Sequence, residues 1–213
     1  MLKRLVRESK IYRRYRQALD CDEISNWWLS DCPTPPPHSV KTRNVLAASD
    51  LFRIQTLVET GTALGAMITA TKRWFKTIYS IELDHNLAAA ARERFAHDKH
   101  VHILEGDSAT LLPQLLPTLS GEAACFWLDG HFSGPGTAMG QTFTPILEEL
   151  DSIALHRGTT KDLIFIDDAR LFTRDPGYPS LEKFTRHIER VFGRSPLFSQ
   201  SDAIVVLPQI KSW

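Results

Sequence analysis

The chain has 213 residues, 43% of them hydrophobic, with 25 basic and 25 acidic side chains. That length supports one domain with a substantial core and a short appendage. Balanced charge excludes a global field steering it to nucleic acid, and no apolar stretch reaches the ~18 residues needed to span a bilayer.

Residues 1–20 have a helical pattern, with Leu2, Leu5, Val6, Tyr12, Tyr15 and Leu19 roughly on one face. Lys3, Arg4, Arg7, Lys10, Arg13, Arg14 and Arg16 outweigh Glu8 and Asp20 there. Such a helix could meet an anionic membrane surface or an acidic partner, or pair with a second copy in a homodimer. The plainer reading is a solvated helix packing one stripe on the domain. The opening residues lack the apolar run of a secretory signal. Residues 21–37 hold Trp27, Trp28 and four prolines (Pro33, Pro35, Pro36, Pro37), which read as an extended connector. The tryptophans read as packing residues, with a substrate lid as the alternative. Residues 38–53 form a helix leading into the sheet. The expected division is a helical extension with a Pro-rich connector over 1–50 and a catalytic domain over 51–213.

From residue 54 the pattern alternates strand and helix. Short apolar runs predict strands at Thr56–Glu59, Thr77–Ile81, Val101–Leu104, Ala124–Leu128 and Leu163–Ile166. Asp84 caps a helix through Phe95. Thr144 opens another with Pro145 at its first helical position, and Ser180 opens a third ending at Gly193. In that third helix Leu181, Phe184, Ile188 and Val191 share one face. Leu197–Ser199 and Ala203–Leu207 read as a hairpin at the sheet edge. The predicted fold is a Rossmann-like, doubly wound α/β domain. Its seven-stranded, mainly parallel sheet ends in an antiparallel hairpin. The cysteines Cys21, Cys32 and Cys125 form no CxxC pair, and their odd number argues against a disulfide framework. A reducing, cytoplasmic compartment is expected.

Ligands of open α/β sheets bind outside the carboxyl ends of the strands. Each of the five strands ends in acid: Glu59, then Glu82, Asp107, Asp129 and the pair Asp167-Asp168. The first turn, Glu59-Thr-Gly61-Thr62-Ala-Leu-Gly65, has glycines that let the backbone approach a ligand but is not GxGxxG. An acid at Glu59 suits an ammonium or sulfonium group better than a pyrophosphate, which weighs against a nicotinamide oxidoreductase. Glu82 can accept from ribose hydroxyls and Asp107, assisted by Ser108, from an adenine amino group. The plainer reading makes Gly61 and Gly65 turn residues and Glu82 and Asp107 helix caps.

With these motifs, residues 57–168 resemble the class I S-adenosylmethionine-dependent methyltransferases. The resemblance implies that Glu59, Gly61, Thr62 and Gly65 wrap the methionine part of the cofactor. Glu82 would hold the ribose and Asp107 with Ser108 the adenine, with Asp129 bordering the site. Three carboxylates at one rim, Asp129, Asp167 and Asp168, repel one another unless a cation intervenes. An oxygen-only set suits Mg²⁺, Mn²⁺ or Ca²⁺ rather than zinc. This is similar to the metal-dependent O-methyltransferases of the catechol type and of the macrocin and sugar type. Asp129-Gly130-His131 resembles the Asp-Gly-Asp of the sugar group, whose last acid is the general base. His131 stands in that place and suits the role near neutral pH, with a structural histidine as the alternative. Four glycines between 129 and 142 read as a loop lining or closing the site.

The expected reaction is metal-assisted O-methylation of a small-molecule or sugar hydroxyl. A non-catalytic S-adenosylmethionine-binding module and a metal-independent N-methyltransferase are the alternatives. Arg170, Arg174, Tyr178 and Lys183 read as surface residues, with contact to an acidic or sugar-like substrate as the alternative.

Overall fold

The computed structural model describes residues 10–119, 121–130, 143–158, 161–173, 175–193 and 195–209, with backbone alone for 10–19. The elements run α1 (Lys10–Leu29), α2 (His38–Leu51), β1 (Thr56–Thr60), α3 (Ala66–Thr71), β2 (Thr77–Glu82), α4 (His85–Phe95) and β3 (Val101–Glu105). They continue with α5 (Ser108–Leu115), β4 (Ala124–Leu128), α6 (Ile146–Arg157), β5 (Leu163–Ile166), α7 (Leu181–Phe192), β6 (Leu197–Gln200) and β7 (Ala203–Val206). Short 3₁₀ turns follow α5 (Leu116–Thr118) and β5 (Ala169–Thr173).

Among the described residues the strands form one sheet in the order β3-β2-β1-β4-β5-β7-β6. The first five are parallel, and β7 pairs antiparallel with both β5 and β6. This is the predicted doubly wound fold with its antiparallel hairpin. Alternation along each strand sorts side chains onto two faces. Leu57, Ile78, Cys125 and Leu163 are in register and pack with Val45 of α2, Met67 and Ile68 of α3 and Phe95 of α4. Val58, Phe126 and Ile164 face the other way, onto Leu112 of α5, Leu150 of α6 and Phe184 of α7. Burial of apolar side chains on both faces is the main force holding the layers together.

The sequence misplaces several boundaries. α1 continues through the tryptophans to Leu29, because nothing from Cys21 to Leu29 breaks a helix. The connector is therefore shorter than expected. Trp27 anchors it by donating Nε1–H to the Pro33 carbonyl at 2.7 Å, whereas Trp28 is exposed. At α6, Pro145 is the capping residue rather than the first helical one. Leu181, expected on the buried face of α7, is exposed, while Ser180 caps that helix as predicted. The first turn of a helix reaches past the sheet it packs on, so periodicity overstates burial there. Asp84 caps α4 through Asn86 N and Leu87 N. The three cysteines are free thiols, and no helix among the described residues is long and apolar enough to cross a membrane.

Candidate active site

The sheet order reverses between β1 and β4, so helices leave those two strands on opposite faces and open a crevice at their carboxyl ends. The turn after β1 lies directly against the exit of β4. Gly61 has φ +84°, and a Cβ there would sit 2.4 Å from the Asp129 carbonyl oxygen. Glycine is therefore required at this position both for conformation and for space. Gly61 N donates to Ile81 O at 2.9 Å and Asp129 N to Thr60 O at 3.1 Å, which pins three strand exits together. Gly65, with φ +68°, caps α3 and rests against the Phe95 ring.

Glu59, Glu82 and Asp107 stand at consecutive strand exits along one rim. Glu59 is buried and accepts from Ser80 Oγ at 2.5 Å, and Ser80 Oγ in turn meets Thr62 Oγ1 at 2.6 Å. Burial pushes the Glu59 carboxyl up to about 8; the Ser80 hydrogen bond opposes this, and Asp129 and Glu82 add to it. Glu82 accepts from the backbone of Ala63 at 2.7 Å and of Asp84 at 2.9 Å, tying the first turn to the end of β2. Asp107 caps α5 through Ala109 N at 2.9 Å. The capping role weighed in the sequence is thus real for Asp107. It leaves further lone pairs on that carboxylate for a ligand. No Lys, Arg or His among the described residues pairs with Glu59, Glu82 or Asp107.

The exits of β4 and β5 are built differently. Asp167 is 4% exposed, and its Oδ2 accepts from Lys41 Nζ of α2 at 2.5 Å. Its Oδ1 accepts the Asp168 amide at 2.8 Å. Asp168, in the left-handed region at φ +57°, accepts from Arg170 Nη1 at 2.7 Å and lies 3.5 Å from Lys41 Nζ. Arg170 also pairs with Asp202 at the β6–β7 turn. Burial works against the Lys41 charge, but Asp167, Asp168 and Asp129 outweigh it and hold the ammonium above its ordinary value. Burial and the neighbouring Asp129 push Asp167 upward. Tyr178 is buried, and burial together with Asp168 and Asp129 raises its hydroxyl. Arg170 and Tyr178 are therefore not the surface residues the sequence suggested. Lys183 is exposed as read.

The structure does not show the predicted metal site. Among the described residues no group of three or more His, Cys, Asp or Glu is arranged to hold a metal ion. Asp167 and Asp168 already have Lys41 and Arg170 as counter-charges. As they stand, these residues do not fit a divalent ion. His131, Arg174 and the glycine-rich segment 131–142 lie outside the described residues.

Two contributors escaped sequence reading. Lys41 lies in the 38–53 segment, read there only as a helix leading into the sheet. Glu149 of α6 is 1% exposed beneath Gly130, and burial pushes it up to about 7. The neighbouring Ser108 and Thr60 hydroxyls oppose that rise, and its Oε1 has no hydrogen-bond partner among the described residues. Its sequence neighbourhood, Leu147-Glu148-Glu149-Leu150, shows only that one of two adjacent acids faces inward with Leu150.

No protein-family model and no curated protein sequence matches the chain. Solved structures do. The O-methyltransferase TomG from Streptomyces achromogenes, in complex with S-adenosylmethionine, superposes with a TM-score of 0.56 at 18% identity, over 89% of each chain. The S-adenosylhomocysteine-bound methyltransferase PaMTH1 of Podospora anserina matches with a TM-score of 0.56 at 13% identity. That match covers 95% of this chain and 97% of the other. The chain shares the fold of these enzymes.

Proposed function

We propose that the protein is an S-adenosylmethionine-dependent methyltransferase acting on a hydroxyl of a small molecule. The observation that carries this reading is the rim of Glu59, Glu82 and Asp107, which is acidic and, among the described residues, served by neutral donors alone. A buried carboxyl with two acidic neighbours and no cation beside it among the described residues gains most from a ligand that brings positive charge. A pyrophosphate would meet repulsion at the same place. The shared fold with cofactor-bound O-methyltransferases agrees with this assignment.

Bound S-adenosylmethionine would supply a methyl group activated by its sulfonium charge. Within this reading Gly61, Thr62 and Gly65 shape the turn around the methionine part, with Glu59 beneath it. Glu82 has a second lone pair on each oxygen for the ribose hydroxyls. Asp107 and Ser108 border the adenine, and Asp129 closes the crevice from the β4 side. The chain must also hold an acceptor oxygen in line with the methyl, about 3 Å away. His131, two residues beyond Asp129, is the proposed proton acceptor. Because Asp129, Asp167 and Asp168 do not fit a divalent ion as arranged, no step is assigned to one.

Calorimetric titration with S-adenosylmethionine and with NADH tests the reading. Micromolar binding of the first alone is expected. Transfer of labelled methyl to a panel of hydroxyl acceptors then separates an enzyme from a binding module. Preference for NADH, or an unchanged affinity in Glu82→Gln, would sink the proposal.

A further inference from the structure

Lys41 stands one turn into α2 and 126 residues from Asp167 in sequence, yet its ammonium lies inside the carboxylate cluster. Packing brings it there: Val45, one turn further along α2, is fully buried in the core on the face that Phe165 shares. Asp167, two residues after Phe165, continues on that face by strand alternation. Nζ is 2.5 Å from Asp167 Oδ2 and 3.5 Å from Asp168 Oδ1, and the Lys41 side chain is only 13% exposed.

These distances have a direct consequence. A divalent ion bound to carboxylates sits about 2.0–2.6 Å from their oxygens. The ammonium nitrogen already occupies that shell of Asp167, so ion and ammonium exclude each other. The remaining geometry points the same way. Asp167 Oδ1 is engaged by the Asp168 amide, and Asp168 Oδ1 by Arg170. An ammonium has three protons, and two are accounted for by Asp167 and Asp168.

We propose that Lys41 is the resident cation of this cluster, standing where a divalent ion would otherwise bind, and that its third proton meets the acceptor oxygen. The second half rests on the methyl-transfer reading; the first half does not. In the transfer, the acceptor O–H bond breaks and its oxygen forms the new bond to the methyl carbon. The electron pair of the carbon–sulfur bond returns to sulfur, and the released proton passes to water. Lys41 keeps its own protons and stabilises the negative charge growing on the acceptor oxygen. A fixed donor of this kind contributes on the order of 10²–10³ in rate.

The test uses the full chain, with Mn²⁺ as the probe. Chelator-treated wild-type protein should show neither calorimetric binding of Mn²⁺ nor a shift in its unfolding temperature at millimolar MnCl₂. Lys41→Met leaves the carboxylates uncompensated, so its midpoint should fall on the order of 10 °C. Added Mn²⁺ should recover much of that loss, and the double variant Lys41→Met/Asp167→Asn should lose the recovery. Micromolar Mn²⁺ binding to wild type that Asp167→Asn abolishes would overturn the proposal, as would Lys41→Met folded and indifferent to the ion. If Lys41→Met does not fold, the wild-type titration still decides the first half. Methyl transfer by wild type should be unaffected by EDTA and fall about 100-fold in Lys41→Arg, whose planar head cannot reproduce the ammonium, with cofactor affinity held within about threefold. A Lys41→Arg variant as active as wild type overturns the second half. If metal indifference and Mn²⁺ recovery hold while no acceptor is ever methylated, the cation assignment stands and the methyl-transfer reading fails.

Discussion

The two halves of the rim carry acids of the same kind and treat them in opposite ways. On the β1–β2–β3 side, Glu59, Glu82 and Asp107 accept from a hydroxyl and from backbone amides. On the β4–β5 side, Asp167 and Asp168 are answered by Lys41 and Arg170. Neutral donors satisfy hydrogen-bonding capacity without cancelling charge, so the first half keeps a field that favours a cationic ligand. The second half is compensated in part, by Lys41 and Arg170, and depends less on a cationic ligand. A sulfonium cofactor beside an alcohol acceptor matches that division. The contrast teaches that a row of carboxylates does not by itself announce a metal; what stands opposite each one decides.

The harshest way to break this comparison is at the seam between the halves. Gly61→Ala would drive a methyl into the Asp129 carbonyl, 2.4 Å away, at a backbone angle that L residues avoid. It should destabilise the fold by about 1–3 kcal/mol and weaken S-adenosylmethionine binding at least about 100-fold, read by denaturant unfolding and calorimetry. Normal cofactor affinity in that variant would show that the crevice lies elsewhere. Next, Glu82→Gln removes a charge from the first half only. Cofactor affinity should fall roughly 10–100-fold, the range expected for losing charged hydrogen bonds, while the Mn²⁺ indifference of the second half stays intact.

A smaller effect sharpens the electrostatic side. The Glu59 carboxyl is raised from 4.5 to about 8, so the folded protein holds a proton there that the unfolded chain releases. Stability from this group is greatest below about 4.5 and declines as pH rises to about 8. A cationic ligand reverses the preference and expels the proton. Binding at pH 7 should therefore release protons, measured as a dependence of the apparent enthalpy on buffer ionisation, and affinity should rise toward pH 8. Glu59→Gln should abolish the proton release and weaken binding about tenfold. Proton uptake instead would contradict a cationic ligand. Smallest of all, Asp84→Ala and Asp107→Ala each remove a helix cap and should each cost ~1 kcal/mol of stability. Only Asp107→Ala should also weaken the cofactor, by several-fold. Equal behaviour of the two in cofactor titrations would reduce Asp107 to its capping role.

By itself the sequence determined the strands, the caps at Asp84 and Ser180, and the acidic residue at each strand exit. All of these are short-range: burial on both faces makes parallel strands continuous apolar runs, and a cap is decided within one turn. The candidate cofactor residues followed, because fold rules place ligands at strand exits. Only the tertiary structure decided what answers each acid. Lys41 lies in a segment read as an appendage, and Arg170 and Tyr178 sit in a turn that looks exposed when read locally. Glu149 turns inward because α6 packs over the ends of β1 and β4. Such partnerships depend on how helices dock across the sheet, over separations that leave no periodic trace. Three neighbouring carboxylates therefore suggest a metal site when read in sequence, whereas the fold sets the Lys41 ammonium beside two of them.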